Sequence, residues 1–195
     1  MKKSYSLLGS DHLNLLKHLN EKENKFDSLH FDLIDESYCG GLGLSVLTLE
    51  QLCELKRFKI DVHILMKNHK DITERIKNLE LVNINYHIEH MDVDCFKEID
   101  LKYAEKGIAV GLDHNLSQIA ELINHTKSIL LLCMRPSLNL DNKYDDALLR
   151  VKEFRKLFPK YNGELIVDGG FDKNDLVELE KHKISKVVIG SSFIN

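Results

Sequence analysis

Apolar and polar positions alternate in short blocks along this chain, and the blocks switch between two periods. Short apolar runs bounded by Gly, Asn or Asp predict strands, whereas apolar residues at helical spacing predict helices. Strands are expected over Tyr5–Leu8, Ser28–Ile34, Lys59–Met66, Val82–Ile88, Ile108–Gly111, Ser128–Met134, Leu165–Val167 and Lys186–Ile189. Helices are expected over Asp11–Glu23, Thr48–Lys56, Asp71–Leu79, Cys95–Glu105, Ser117–Ile123, Tyr144–Leu157 and Lys173–His182. Leu13, Leu15, Leu16 and Leu19 carry the first helical stripe, and Thr48-Leu49-Glu50-Gln51 and Asp71-Ile72-Thr73-Glu74 read as capping boxes.

Strands alternating with helices imply a parallel sheet. Eight such units predict a closed (β/α)₈ TIM barrel formed as one domain over residues 1–195, with a doubly wound open sheet as the alternative. The barrel is preferred because polar residues gather at the C-terminal ends of several strands, where barrel active sites lie. The chain is shorter than the roughly 200–250 residues usual for that fold. Its last helix is expected to be truncated or missing, since only Ser191 to Asn195 follow the final strand.

Three of the strands share one arrangement of polar residues. Side chains on a strand alternate faces. His30, Asp32 and Ile34 therefore face one way, and Leu29, Phe31 and Leu33 the other. Asp61 and His63 repeat the pattern, and Leu165-Ile166-Val167 ends on Asp168-Gly169-Gly170. Burying imidazoles and carboxylates without partners is costly, and a cation is the simplest compensation. His30, Asp32, His63 and Asp168 are candidate ligands for one divalent ion, Zn²⁺, Fe²⁺ or Mn²⁺. Taken singly, each reads equally as a hydrogen-bonded core His or a turn-forming Asp. Glycines at 169 and 170, and Gly190-Ser191 after the next strand, allow close approach of an anion to backbone N–H groups. Loops after strands seven and eight are where barrels often bind phosphate. His87 and Glu89 form a further same-face pair, structural or supporting the metal.

Composition narrows the partners. A formal net charge of -4 carries no nucleic-acid or polybasic membrane signal. The N-terminal apolar run is too short for a signal peptide, and no run approaches the roughly 18 residues of a membrane helix. Cys39, Cys53, Cys95 and Cys133 form no CxxC pair, so neither a disulfide framework nor a Cys-rich zinc site is expected. A cytoplasmic location follows as the expectation.

The motifs together resemble the ribulose-phosphate 3-epimerase family over nearly the whole chain. Ser6-Leu7-Leu8-Gly9-Ser10-Asp11 is similar to its opening strand, His30-Phe31-Asp32-Leu33-Ile34-Asp35 to its HxDxMD motif, and Asp61-Val62-His63 to its DVH motif. Tyr86-His87-Ile88-Glu89 resembles its FHxE strand, and Val167-Asp168-Gly169-Gly170 and Gly190-Ser191 resemble its VDGG and GS phosphate loops. The resemblance implies a metal-dependent ketose-phosphate 3-epimerase, interconverting D-ribulose 5-phosphate and D-xylulose 5-phosphate through an enediolate. It implies one divalent metal on His30, Asp32, His63 and Asp168, with Asp32 and Asp168 as the acid/base pair. Substrate contacts would fall on Ser6, His63, Gly169, Gly170, Gly190 and Ser191. A small-molecule ketose phosphate is the implied partner, and self-association as a homo-oligomer is expected.

The departures from the pattern are specific. Ile34 replaces the motif methionine, Glu36 the following glycine, and Met66 sits one residue late. The family's glycine-rich PGFGGQ loop after strand six is Pro136-Ser137-Leu138-Asn139-Leu140-Asp141, which points to a weakened phosphate grip, with Arg135 as a candidate compensator. Two other readings stay open: an epimerase for a related hexulose 6-phosphate, and a sugar-phosphate-binding descendant without catalysis.

Overall fold

A computed structural model of the chain describes residues 1–134 and 146–194. Eight parallel strands close on themselves in the order in which they occur along the chain. They are β1 (Lys2–Ser6), β2 (Ser28–Ile34), β3 (Ile60–Leu65), β4 (Asn83–His87), β5 (Glu105–Val110), β6 (Ser128–Leu132), β7 (Glu164–Asp168) and β8 (Lys186–Ile189). The last pairs back onto the first, with Ser4 opposite Val188. The expected TIM barrel is therefore the observed fold, and the open sheet is excluded.

Around the barrel lie α1 (Leu15–Lys22), α2 (Glu36–Cys39), α3 (Val46–Glu54), α4 (Lys70–Ile76), α5 (Val93–Glu98), α6 (Ala147–Leu157), α7 (Leu176–Lys181) and α8 (Ser191–Ile194). Several helix starts differ from expectation for a local reason. Ser45 accepts from the Thr48 backbone N–H and opens α3 before the expected box. No side chain caps α4, which begins at Lys70. The expected Cys95–Glu105 helix ends at Glu98, because Ile99 turns to extended backbone. Ser117–Ile123 gives only a 3₁₀ turn, Leu116–Ile119. The expected sixth-strand loop, including Arg135 and Pro136 to Asp141, and the first residues of the Tyr144–Leu157 helix lie outside the described residues.

Two layers of side chains divide the work. The outward faces of the strands, among them Leu29, Phe31, Val62, Ile64, Ile108, Leu131, Val167 and Val187, pack under the helices as the main apolar core. The barrel interior is a different medium. Its apolar part is small, built from Leu65, Ala109, Leu130, Leu132, Ile166 and Val188. Polar groups fill much of the remainder: Ser4, Ser28, His30, Asp32, Asp61, His63, Asn83, Asn85, His87, Ser128 and Lys186 are all buried. Such groups are tolerated only when hydrogen-bonded. Asn85 donates to Asn83 at 2.8 Å and accepts from Ser128 at 2.8 Å. Gly107 leaves room for that pair, since a Cβ there would stand 2.0 Å from the Ser128 Oγ.

Candidate metal centre and active site

Strand register brings the chemistry together. Across the β2–β3 pairing, His30 lies opposite Asp61, and one step nearer the C-terminal mouth Asp32 lies opposite His63. Asp168 closes the ring from the end of β7. One potential ligand atom from each of His30, Asp32, His63 and Asp168 lies within 4.8 Å of the others. The four residues singled out by their strand faces thus meet at one point. No other cluster of three or more such side chains occurs among the described residues.

The proton positions follow from hydrogen bonding. Asp61 Oδ2 lies 2.6 Å from His30 Nδ1, and a carboxylate there accepts, so Nδ1 carries the hydrogen. That leaves His30 Nε2 facing Asp32 Oδ1 at 3.3 Å and Asp168 Oδ2 at 3.8 Å, buried and without a hydrogen-bond partner. On the other side, His87 Nδ1 donates to Glu89 Oε2 at 2.9 Å. Its Nε2 is then an acceptor for the His63 Nε2–H at 2.8 Å. His63 Nδ1 lies 3.1 Å from Asp32 Oδ1, within hydrogen-bond reach, and 3.8 Å from Asp168 Oδ2. One nitrogen of each imidazole and two carboxyl groups therefore converge on one volume. Once their protons are displaced, these N₂O₂ donors suit a divalent ion. The residues present fit a metal.

The candidate ligands are held from behind, as ligating histidines usually are. Ser4 and Ser28 each donate to Asp61 at 2.9 Å, and Lys186 Nζ does so at the same distance. Glu89 accepts from the Gly111 backbone N–H at 2.6 Å. The Tyr38 hydroxyl stands 3.2 Å from either nitrogen of His87. His87 and Glu89, left open by the sequence as structural or supporting, form a relay to His63. Asp61 had only its face to suggest a role, and Lys186 had no signal at all, since it starts a strand and reads as solvated.

Electrostatics separates the two central carboxylates. Burial raises the Asp32 pKa, but His30 and His63 outweigh it and hold the group well below the usual carboxylate range. Burial pushes the Asp168 carboxyl up to about 7, with Asp32 and Asp61 adding to the rise against the pull of His30. Burial opposes charge on His30, yet Asp32 and Asp61 raise its pKa well above 6.5. For His63 burial dominates, and its pKa is lowered. The two carboxyl groups are thus pushed apart, Asp32 downward and Asp168 upward, the pattern of an acid/base pair.

Ser6 sits at the end of β1 and donates to Asp32 Oδ2 at 3.2 Å. Gly169 and Gly170 both adopt positive φ, 75° and 71°, and a Cβ on Gly169 would stand 2.8 Å from Met134 Cγ. Beside them is a cavity of about 460 Å³ lined also by Phe171, Asp172, Asp175, Val188, Ser192 and Phe193. Gly190 and Ser191 immediately precede that lining, and open space surrounds the Cβ position of Gly190.

A closed parallel barrel with a two-His, two-Asp cluster at its C-terminal mouth defines a TIM-barrel protein with a group of side chains that could hold a metal ion. The model of the ribulose-phosphate 3-epimerase family matches residues 2–194, and the chain belongs to that family, an isomerase of the epimerase type. A ribulose-phosphate 3-epimerase of Helicobacter pylori (strain ATCC 700392 / 26695) is 26% identical over 198 residues, which cover 98% of this chain and 89% of the relative. One of Aquifex aeolicus (strain VF5) is 25% identical over 173 residues, 85% of this chain and 76% of that one. In fold, the chain is similar to a phosphoribosyl anthranilate isomerase from Thermus thermophilus, with a TM-score of 0.68, 13% identity, and coverage of 98% and 88%. No helix among the described residues is long and apolar enough to cross a membrane.

Proposed function

We propose that the chain interconverts D-ribulose 5-phosphate and D-xylulose 5-phosphate by two-base proton transfer between Asp32 and Asp168. The observation that carries this reading is the meeting of two carboxyl groups, Asp32 and Asp168, with His30 and His63 in one cluster inside the barrel. His30, Asp32, His63 and Asp168 would hold one divalent ion, Zn²⁺, Fe²⁺ or Mn²⁺. That ion would supply Lewis-acid stabilisation of the negative charge that develops when a proton α to the ketone leaves, worth several kcal/mol. Asp32 would take the proton from C3 on one face, and Asp168, taking up a proton in the substrate complex, would pass it to the other, so that configuration inverts and one proton is exchanged for another. In the reverse direction the roles swap. Ser6, donating to Asp32, orients the base. His63, kept neutral by burial, stays available to the metal and the substrate oxygens. The barrel wall keeps water from the intermediate. An epimerisation assay on ribulose 5-phosphate with metal added is the direct test; no xylulose 5-phosphate formed by folded, metal-loaded protein would end the proposal.

The phosphate would lie by Gly169, Gly170, Gly190 and Ser191. Among the described residues, the lining of the adjacent cavity includes Asp172 and Asp175 and neither Lys nor Arg. The family's glycine-rich loop after strand six is replaced in sequence by Ser137, Leu138, Asn139 and Leu140. Each lost hydrogen bond to a charged group costs about 1.5–3 kcal/mol, roughly ten- to a hundredfold in affinity. KM for ribulose 5-phosphate should therefore exceed that of the Helicobacter pylori relative assayed in parallel by at least about tenfold. Equal values would remove the argument from the altered loop.

Self-association belongs to the same reading. Leu8, Leu13 and Leu16 follow β1 and Leu42 and Leu47 follow its neighbour β2, all exposed, Leu13 at 96% and Leu42 at 75%. Large exposed apolar side chains on the segments that follow two neighbouring strands favour an interface. Sedimentation at micromolar concentration should give a dimer or larger; a monomer throughout would contradict it.

A further inference from the structure

Beneath the cluster, at the N-terminal foot of the barrel, lies a lysine that neither the family motifs nor the acid/base scheme uses. Lys186 is 2% exposed, its side chain inside the barrel. Lysine is almost never so buried unless paired. Its Nζ lies 2.9 Å from Asp61 Oδ1 and 3.9 Å from Glu164 Oε2. Asp61 is itself fully buried and turns its other oxygen to His30 Nδ1 at 2.6 Å. The hydroxyls of Ser4 and Ser28 complete the shell around that carboxylate. A small cavity of about 110 Å³, lined by Lys2, Asp27, Lys59, Glu164 and Lys186 itself among others, lies at this foot.

Charge is what makes the arrangement notable. Asp61 is a third carboxylate beside Asp32 and Asp168, inside a volume with little apolar filling and no bulk water. Asp32 and Asp168 together match a divalent ion. With His30 neutral as a metal ligand, Asp61 has Lys186 as its remaining cationic partner. A neutral acceptor in place of Asp61 would need no cation; an ionised one does.

We propose that Lys186 is a positioning residue for His30: it cancels the charge of Asp61 and fixes that carboxylate, so that Asp61 holds the Nδ1 hydrogen and Nε2 is presented bare to the metal. The inference rests on the reading that His30 is a metal ligand. Lys186 touches neither metal nor substrate; it acts through Asp61. The strut runs from β8 through β3 to β2, and therefore crosses the seam where the barrel closes.

The test compares wild type, Lys186→Met and the double variant Lys186→Met/Asp61→Asn. Zinc affinity is measured by competition with a chromophoric chelator, alongside thermal unfolding and the ¹⁵N and ¹H resonances of the His30 ring in metal-free protein. In wild type, His30 should show a protonated Nδ1 with a far-downfield hydrogen-bonded proton. Lys186→Met should lose that signature, lower Tm on the order of 10 °C, and weaken zinc binding about 10–100-fold. The double variant should recover most of the zinc affinity and of the Tm, because an Asn accepts from His30 without needing a cation. If Lys186→Met does not fold, a folded double variant with zinc affinity within a few fold of wild type supports the proposal. Lowered Tm with unchanged zinc affinity and an unchanged His30 resonance would mean that Lys186 only fills and pairs, and would overturn it. A double variant as weak for zinc as the single one would overturn it too. A wild type that binds no zinc while showing the His30 signature would sink the metal reading itself, which is a separable result.

Discussion

Asp168→Asn should abolish epimerisation, lowering kcat by about 10³-fold or more, since general acid–base groups alone are worth about 10²–10⁴-fold. Asn cannot carry the proton, and it also removes an anionic ligand. The two losses are separable. Asp32 keeps its ionised form in this variant, held by His30 and His63. It can still remove the C3 proton of the substrate, but nothing opposite delivers one. In deuterated buffer, ribulose 5-phosphate should therefore take up label at C3 without becoming xylulose 5-phosphate, provided that metal content is unchanged. Asp32→Asn should lose turnover to a similar extent. Near-normal turnover in either folded variant would refute the two-base scheme. Lost turnover together with lost metal would show that the ligand role outweighs the proton-carrying one.

The parts of this molecule that could be read in advance are those that strand alternation dictates. β2 and β8 occur with the bounds the pattern predicts, Ser28–Ile34 and Lys186–Ile189. Buried parallel strands present one face to helices and the other to the barrel, so His30, Asp32 and Ile34 had to share a surface. From there, parallel register put Asp32 opposite His63 without further information. Helix starts were harder. They depend on which polar side chain meets a free N–H, and Ser45 did so where Thr48 was expected. The supports of the site were the least legible. Asp61 and His87 are visible as inward-facing residues, but their partners come from other strands. Lys186 stands 125 residues from Asp61 in the chain, and only barrel closure brings them together. A lysine opening a strand ordinarily reads as solvated.

Metal affinity should rise steeply with pH, and the direction follows from which groups must shed protons. Without metal, Asp168 keeps its proton up to about pH 7, because burial and the nearby Asp32 and Asp61 disfavour its charge. His30 keeps a second ring proton to well above 6.5, as Asp32 and Asp61 override burial. His63 has its pKa lowered by burial and so gives up less of a proton than a free imidazole would. A ligand must present a lone pair, so binding expels protons from Asp168 and His30. Both are raised pKa values, so both protons are fully present at pH 5.5 and must leave there. Two protons released make the association constant climb about 100-fold per pH unit below neutrality, easing toward tenfold once Asp168 has ionised. Titration calorimetry with zinc in buffers of different ionisation enthalpy should count close to two protons at pH 5.5. The stabilisation that metal confers should follow, as it depends on the ratio of metal concentration to Kd. The gain in Tm on adding a fixed excess of zinc should therefore be larger at pH 7.5 than at pH 5.5. Asp168→Asn removes one of the two titrating groups, so its affinity, weaker throughout, should climb only about tenfold per unit. An affinity independent of pH between 5.5 and 7, or higher at the acid end, would mean that these four residues do not bind the ion in the forms their hydrogen bonds require.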